Sequence, residues 1–491
     1  MSHTLSRSQY DAVVIGSGPN GLSAAIALAE RGLSVCVMEA RGSVGGGMRT
    51  QELTLPGFSH DRCSAVHPMG ILSPYWRSLP LEEHGLTWSF PQASVAHPLL
   101  NRDAVLLTRD LEETAHQLGA DARAYKRMLS PFIERGPALM RDLMAPLGIP
   151  RHPILMARFG LKGLRSATSF ARSTFSEEAA RAVFAGCAAH SILPLEWSAT
   201  AALGLIFCLS AHLVDWPTPQ GGTAKLALSL SRYLESLGGE IRLNTPIRHL
   251  SEVPESRFVF FDTSPSQLSE IAGDALPSAY HKRLARYVYG PGVFKLDWAL
   301  SEAIPWSDPR VLKGSTVHVG GTLDELAAAE RAVWRGEHPE RPFVLLCQQS
   351  HMDSSRAPEG QHTGYAYCHV PPGSEVDLTE VIESQVERFA PGFRDVILAR
   401  HSMNTRHFSE YNPNYIGGAI TGGAATLTQL FTRPVARLNP YTTPNPRLFI
   451  CSASTPPGGG VHGMCGYYAA ATALKRLKLT PPPLTTAPLR L

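Results

Sequence analysis

One short stretch near the start of the chain constrains its fold more than any other. An apolar strand is predicted at residues 12–15, and Gly16, Gly18 and Gly21 then lead into a helix of small residues at 21–31. Glycines at these positions allow a tight turn, close approach of a ligand to the backbone, and close packing of the helix on the sheet. The free N–H groups at the start of the helix favour phosphates. The stretch therefore predicts a Rossmann-like, dinucleotide-binding unit.

The residues that follow indicate which dinucleotide is bound. Glu39 ends the second predicted strand, residues 34–38, at roughly the ~20-residue spacing from Gly18 expected of a ribose-binding acid. A carboxylate there accepts a hydrogen bond from a ribose 2′-hydroxyl and repels a 2′-phosphate, which favours FAD or NAD(H) over NADP(H). A second glycine loop runs from Arg41 to Gly46, and Arg41 can neutralise phosphate charge. Dehydrogenases that bind only NAD do not need this second loop, so it favours FAD.

The end of the chain repeats the opening pattern. A strand is predicted at 447–451, a Pro/Gly-rich loop at 452–460 and a helix at 461–477. A helix N-terminus stabilises the negative charge of a reduced flavin by about 0.3–2 kcal/mol. Gly222 and Thr223 precede another predicted helix and could contact the flavin, although an ordinary helix start explains them equally well. Both chain ends and a middle segment therefore form one discontinuous cofactor domain.

Five segments thus supply the predicted cofactor-binding residues. In chain order they are Gly16, Gly18, Pro19, Gly21, Glu39, Ala40, Arg41, Gly45, Gly46, Gly47, Met48, Gly222, Thr223, Ile247, Gly460, Val461, Gly463 and Met464. The adenosine is expected near residues 16–39 and the isoalloxazine near residues 460–466.

Charge and cysteine content exclude several classes of protein. The formal net charge of the 491 residues is +3 and no dense Lys/Arg block occurs, so no nucleic-acid partner is predicted. The eight cysteines form no CxxC pair and have no metal-ligand spacing, so no metal site is predicted. Residues 42–50 contain no cysteine, which excludes a reductase that uses a dithiol next to its flavin. This cysteine usage fits the reduced cytoplasm.

The longest apolar run of the middle region is residues 199–213. It is too short to span a bilayer and is predicted to be a buried helix, with a membrane-surface or substrate-tunnel helix as the alternative. The first ten residues show no charged-then-apolar signal region. We therefore predict a cytoplasmic protein, with peripheral contact to a membrane kept open.

Three side chains are candidates for proton transfer beside the flavin. His67 follows the first glycine loops, and His462 lies within the terminal glycine run. Lys295 lies on a predicted apolar strand, residues 293–300, where it could reach the flavin through water. A structural role is the commoner one for a lone histidine, and an ion pair with Asp297 or a solvated face is the simpler explanation for the lysine. No catalytic residue is assigned.

Taken together, these motifs resemble the phytoene dehydrogenase-related branch of the FAD-dependent amine oxidase superfamily. The first two motifs are residues 14–21 and 39–46, and the central flavin segment is residues 221–223 with 244–247. The terminal motif is residues 439–441 with 449–466. The resemblance covers nearly the whole chain. These motifs are specific to the superfamily and do not identify a substrate.

The resemblance implies an α/β fold in which an α+β substrate domain is inserted into a Rossmann-like, FAD-binding domain with a parallel sheet. The FAD-binding domain is predicted to comprise residues 1–60, 216–290 and 431–491, and the substrate domain 61–215 and 291–430. An allylic or amine-type C–H or C–N bond would face the flavin N5. Lipid-handling members of the family dock on membranes, and the branch has no universal acid or base to carry over.

The sequence therefore predicts an FAD-dependent oxidoreductase, of the dehydrogenase or desaturase type, that removes hydride from an apolar, isoprenoid or carotenoid-like substrate. The expected electron acceptor is oxygen or a quinone, because only one dinucleotide fingerprint occurs. One alternative is an oxidase of small amines or imines in secondary metabolism. A second alternative is a flavin-binding interaction protein without active redox chemistry.

Overall fold

The computed structural model describes residues 9–485 and 487, and predictions for the other terminal residues lie outside it. The strands, in chain order, are β1 (Gln9–Ile15), β2 (Val35–Met38), β3 (Thr50–Glu52), β4 (Ser59–Asp61), β5 (Trp88–Ser89), β6 (Ala93–Leu99), β7 (Arg102–Leu107), β8 (Thr218–Pro219), β9 (Glu240–Arg242), β10 (Glu255–Phe261), β11 (Gly292–Leu300), β12 (Gly314–Val319), β13 (Val344–Cys347), β14 (His362–Val370), β15 (Ile397–Met403) and β16 (Leu448–Ile450).

The α-helices are α1 (Pro19–Ala29), α2 (Pro68–Leu72), α3 (Leu111–His116), α4 (Ala122–Ile133), α5 (Gly136–Leu143), α6 (Pro153–Gly163), α7 (Ala167–Thr174), α8 (Glu178–Ala189), α9 (Thr200–Val214), α10 (Ala224–Ser236), α11 (Pro265–Ala272), α12 (Ser278–Leu284), α13 (Leu323–Trp334), α14 (Thr379–Glu387), α15 (Thr405–Tyr411), α16 (Leu427–Thr432) and α17 (Met464–Arg476).

The first sheet is parallel throughout. Its strand order is β16-β10-β1-β2-β9. The central strand β1 is apolar because helices cover both faces of such sheets, and Val13 lies opposite Val259 of β10. The predicted Rossmann-like parallel sheet is confirmed.

The two ends of the chain meet where α1 packs against α17. All of α1 from Asn20 onward is buried, and it is one of the most apolar helices of the fold. Gly466 allows the contact, because a Cβ atom there would lie 1.8 Å from the carbonyl oxygen of Asn20. The helix that begins the cofactor motif and the helix that ends the chain therefore form one packed layer.

The second sheet is mixed, with the order β15-β11-β14-β13-β12-β6-β7. Its neighbours are antiparallel except for β12 and β6, which run parallel. Helices α8 and α9 pack together beside this sheet, and α9 is the predicted buried helix of the apolar run. The α+β character predicted for the inserted part is thereby confirmed. No helix among residues 9–485 is both long and apolar enough to cross a membrane.

Each of the two large sheets takes its strands from the segments of one predicted domain. All five strands of the parallel sheet lie within 1–60, 216–290 and 431–491, and all seven of the mixed sheet lie within 61–215 and 291–430. The short pair β5 and β8 joins the two sets of segments. The exact limits of the two domains stay a prediction.

Candidate active site

One cavity, of about 800 Å³, is lined by residues from both sets of segments. Most of the predicted cofactor-binding residues lie in its wall: Gly16, Gly18, Pro19, Glu39, Ala40, Arg41, Gly46, Gly47, Met48, Ile247, Gly460 and Val461. Residues from the two chain ends are thus brought to one continuous space. As ligand contacts they stay predictions.

The other six predicted residues lie beside the cavity rather than in its wall. Gly21 and Gly45 shape the two turns, because a Cβ atom would lie 2.2 Å from the Gly16 carbonyl oxygen at Gly21 and 2.4 Å from the Met48 carbonyl oxygen at Gly45. Met464 is fully buried, and a Cβ atom on Gly463 would lie 2.1 Å from the Ser23 hydroxyl. These positions pack the loops and helices that carry the wall.

Gly222 and Thr223 belong to a buried polar cluster. The Thr223 N–H donates to Asp61 at 2.9 Å, and its hydroxyl lies 2.9 Å from Nε2 of His67. A Cβ atom on Gly222 would lie 2.6 Å from Nη1 of Arg356, which pairs with Asp61. Both residues therefore lie at the start of α10, and their contact with a flavin stays a prediction.

Glu39 lies in the cavity wall, and both of its carboxylate oxygens accept hydrogen bonds from the protein. Oε2 accepts hydrogen bonds from the N–H and hydroxyl of Ser17, and Oε1 accepts from the Arg41 N–H at 2.9 Å. Arg49 adds a buried ion pair, with Nη2 3.2 Å from Oε1. Arg49 was not predicted from the sequence, although it lies only three residues after the second glycine loop. These contacts fix the carboxylate at the end of β2.

Asp262 is a second cavity-lining carboxylate that the sequence analysis missed. It directly follows β10, and its Oδ2 accepts a hydrogen bond of 2.8 Å from the Gly21 N–H at the start of α1. The pKa of Asp262 is raised to about 7, chiefly by burial and also by the charge of Glu39, while hydrogen bonds from the N–H groups of Gly21 and Gly18 act in the opposite direction. A carboxyl that becomes neutral this easily can lie near phosphates.

Asp262→Asn is expected to change how stability depends on pH. The unfolded carboxyl ionises near its ordinary pKa of 3.8 and the folded one near 7, so the folded state holds the extra proton between these values. Wild-type stability therefore falls as pH rises through this window, by up to about 4 kcal/mol, and the variant lacks this loss. Urea unfolding should show that the variant becomes more stable, relative to wild type, between about pH 4 and about pH 8. If the difference in unfolding free energy between variant and wild type is the same at both pH values, the prediction is wrong.

One part of the cavity wall, which we call the aromatic end, is aromatic and apolar. Phe207, Trp216, Leu345, Tyr365 and Tyr367 line it. The Phe207 and Trp216 ring centroids are 5.2 Å apart, and the two tyrosine rings are nearly perpendicular at 6.1 Å. The Tyr365 hydroxyl donates to a backbone carbonyl, which leaves its ring face as the contact surface. Such a wall suits a flat or chain-like apolar ligand.

The two histidine candidates do not line the cavity. His67 is bound to Thr223, and Nδ1 of His462 accepts the Met464 N–H at 3.1 Å. Burial lowers the pKa of both histidines to about 4. Both fill structural roles at helix starts. A different histidine, His190, lies in the wall, and no motif in the sequence distinguishes it.

Lys295 also stays outside the cavity wall. It is fully buried and forms an ion pair with Asp297, the simpler explanation offered by the sequence. Its Nζ lies 4.3 Å from the centroid of the Tyr365 ring, so it stands behind that cavity-lining tyrosine. Burial lowers the pKa of the Lys295 ammonium, and the charge of Asp297 opposes this.

Comparisons with known proteins agree with this geometry. A family model for an NAD(P)-binding Rossmann-like domain matches residues 14–79. Pyridine nucleotide-disulfide oxidoreductase domain-containing protein 2 of Rattus norvegicus is 26% identical over 96% of this chain and 94% of its own length. Hydroxyneurosporene desaturase of Cereibacter sphaeroides is 24% identical over 95% of this chain and 97% of its own. The structure of putrescine oxidase bound to putrescine has a TM-score of 0.61 at 19% identity, covering 96% of this chain and 99% of that one.

The likeness to putrescine oxidase concerns the fold alone. The desaturase relative, similar over nearly the whole chain, confirms the predicted resemblance to proteins of the desaturase type. The protein is an oxidoreductase with a Rossmann-like dinucleotide-binding domain.

Proposed function

We propose that the chain is an FAD-dependent dehydrogenase or desaturase that removes hydride from an apolar, isoprenoid-like substrate. The observation that carries the proposal is a continuous cavity whose wall includes both the dinucleotide turn and the aromatic end. Its volume lies within the roughly 300–1,000 Å³ of small-molecule sites. The name of the desaturase relative supports the substrate class, and the second glycine loop supports FAD over NAD.

The residues present fit an extended dinucleotide. A Cβ atom on Gly46 would lie 3.0 Å from the Cα atom of Gly18, so the two glycine turns approach each other with no side chain between them. Glu39 would hold the ribose end, and Gly460 and Val461 would contact the flavin end. Bound FAD supplies an oxidised ring that accepts hydride. The aromatic end would exclude water and hold the substrate carbon in place, with reoxidation by oxygen or a quinone.

The test is the purified protein itself. We expect a visible flavin spectrum, release of FAD on denaturation, and bleaching under anaerobic conditions by a member of a carotenoid and isoprenoid panel. A colourless protein that retains only a nicotinamide nucleotide would contradict the cofactor assignment. Retained FAD that no apolar donor reduces would contradict the substrate class.

The amine or imine oxidase alternative is favoured by one observation, the tyrosine pair Tyr365 and Tyr367 at the aromatic end. The faces of such aromatic rings can surround an amine near the flavin. For this alternative, small amines should bleach the flavin faster than carotenoids do, and readmitted oxygen should yield stoichiometric hydrogen peroxide.

Peripheral membrane contact is part of the proposal, because α6 and the loop before it carry an exposed apolar patch. Ile149, Ile154 and Leu161 are 97%, 73% and 79% exposed. Arg151 and Arg158 lie between them in sequence and are also exposed. Apolar side chains flanked by cations suit the surface of an anionic bilayer. The patch leaves no periodic pattern in the sequence, because its side chains are split between a loop and a helix.

Replacing Ile149 and Leu161 together by serine should weaken binding to phosphatidylglycerol vesicles about a hundredfold, since each of the two buried side chains contributes on the order of 1.5 kcal/mol. Co-sedimentation measures the effect. Leu398→Ser, at a half-exposed leucine of β15, is the control and should bind as wild type does. Equal binding by the double variant would exclude this patch.

A further inference from the structure

Two tyrosines of β14 lie side by side in the aromatic end of the cavity, and their hydroxyl groups differ. Residues two apart on a strand point to the same face, and Tyr365 and Tyr367 both line the cavity. Their neighbours on β13 are Cys347 and Leu345, which line the cavity as well. One face of the mixed sheet therefore forms this part of the wall.

The Tyr365 hydroxyl already has a partner inside the protein. It donates a hydrogen bond to the backbone carbonyl oxygen of Cys63. Beside it, the sulfur of Cys347 lies 3.8 Å from the hydroxyl oxygen of Thr316, close enough for a hydrogen bond to sulfur. Because these polar groups are paired within the protein, a ligand meets the ring of Tyr365 rather than its hydroxyl.

The Tyr367 hydroxyl, in contrast, forms no hydrogen bond with any residue that the structure describes. It also differs from the unpaired hydroxyls of Tyr280 and Thr363, which are fully enclosed by protein atoms. Burial raises the pKa of Tyr367, so its ring lies deep in the protein, and yet the residue is only half-buried. A side chain that is both deep and accessible borders an internal space, and the cavity is the space that Tyr367 lines.

An O–H group that faces an apolar space needs an acceptor from the ligand. The raised pKa keeps the phenol of Tyr367 protonated near pH 7, so the group presents a donor. An unpaired donor away from bulk water is costly, and an oxygen lone pair placed against it restores a hydrogen bond. A carbonyl or ether oxygen supplies such a lone pair, whereas an ammonium ion has none.

We propose that the Tyr367 hydroxyl recognises an oxygen acceptor on the substrate, which is therefore an apolar chain that carries a carbonyl or ether oxygen. This inference deepens the proposed function and rests on it. Tyr367 determines specificity and takes no part in hydride transfer. A pure hydrocarbon leaves its donor unpaired, and a site built to form a hydrogen bond discriminates against the analogue that lacks the polar atom.

The binding test compares two probes, the ketone geranylacetone and the hydrocarbon that has a methylene group in place of its carbonyl. Isothermal titration calorimetry gives the ratio of their dissociation constants for flavin-loaded wild type and for Tyr367→Phe. Comparing the two ratios cancels the difference in water solubility between the probes. We expect the relative preference for the ketone to be about three- to tenfold smaller in Tyr367→Phe, the value of one net hydrogen bond.

An unchanged ratio in Tyr367→Phe would overturn the proposal. It would show that another polar atom of the wall, such as a ring nitrogen of His190, binds the carbonyl oxygen.

Tyr365→Phe is the matched control, because it removes from the same wall a hydroxyl that already has a partner in the protein. It should change the dissociation constants of both probes by one common factor and so keep the wild-type ratio. If Tyr365→Phe lowers the preference for the ketone as much as Tyr367→Phe does, the free hydroxyl is not what discriminates, and the proposal fails.

Urea unfolding tests the free hydroxyl without any ligand. Tyr365→Phe loses a buried hydrogen bond and leaves the Cys63 carbonyl unpaired, so its unfolding midpoint should fall below that of wild type. Tyr367→Phe loses no hydrogen bond within the protein, so its midpoint should equal or exceed that of wild type. A fall as large as that of Tyr365→Phe would show that the Tyr367 hydroxyl already has a protein partner and would overturn the proposal.

Flavin occupancy measured in the same samples separates the two proposals. Protein without flavin, or flavin-loaded protein that binds neither probe, contradicts the proposed function. Flavin-loaded protein that binds both probes with the same ratio in wild type and Tyr367→Phe contradicts only the role of Tyr367.

Discussion

Gly18→Val is expected to yield folded protein that retains almost no flavin. Gly18 has φ −66° and ψ 176°, which any residue adopts, so its backbone conformation does not require glycine. The lack of space does require glycine, because a Cβ atom there would lie 2.4 Å from Oδ2 of Asp262. It would also occupy the turn at the start of α1, where we place the pyrophosphate. A branched side chain would therefore displace both the carboxylate and the cofactor.

The measurement is the ratio of visible flavin absorbance to protein absorbance after gel filtration, with thermal unfolding as a check on folding. Gly160→Val is the matched control, because Gly160 of α6 has open space around its Cβ position and negative φ. The control should keep wild-type flavin. Full flavin occupancy in Gly18→Val would contradict the assignment of the turn as the pyrophosphate site.

The parts predicted well from the sequence are those determined by neighbouring residues. The strand, turn and helix around Gly16 and the position of Glu39 depend on residues close in the chain. The last helix begins at Met464 and not at Val461 as predicted, because Val461 and Gly463 have positive φ values of 54° and 70°, which no α-helix accommodates.

The parts that were missed depend on contacts between distant residues. Asp262 meets the Gly21 N–H across 241 residues, and His190 meets His318 across 128. Neither contact leaves a local pattern, because an acid after a strand or a histidine after a helix has no fixed partner until the sheets assemble. The same reason explains why His67 and His462, which lie close to glycine motifs in sequence, were preferred as candidates.

Arg356→Met is expected to lower the free energy of unfolding by about 3–5 kcal/mol. Arg356 and Asp61 form an ion pair in which both side chains are fully buried. Asp61 also accepts hydrogen bonds from Thr50 at 2.7 Å and from the N–H of Thr223 at the start of α10. Methionine fills the volume but leaves the carboxylate without its cation, and an unpaired buried charge costs more than the pair contributes.

The double variant Arg356→Met/Asp61→Asn separates the charge from the packing. If the unpaired carboxylate causes the loss, the double variant should be more stable than Arg356→Met alone, because the charge that remains in the single variant is removed. Urea unfolding midpoints measure both. Arg172→Met, which breaks an exposed pair with Asp324, is the control and should cost less than about 1 kcal/mol. A double variant less stable than the single one would show that hydrogen bonds to Asp61, rather than its charge, hold the loop of Thr223 beside the cavity.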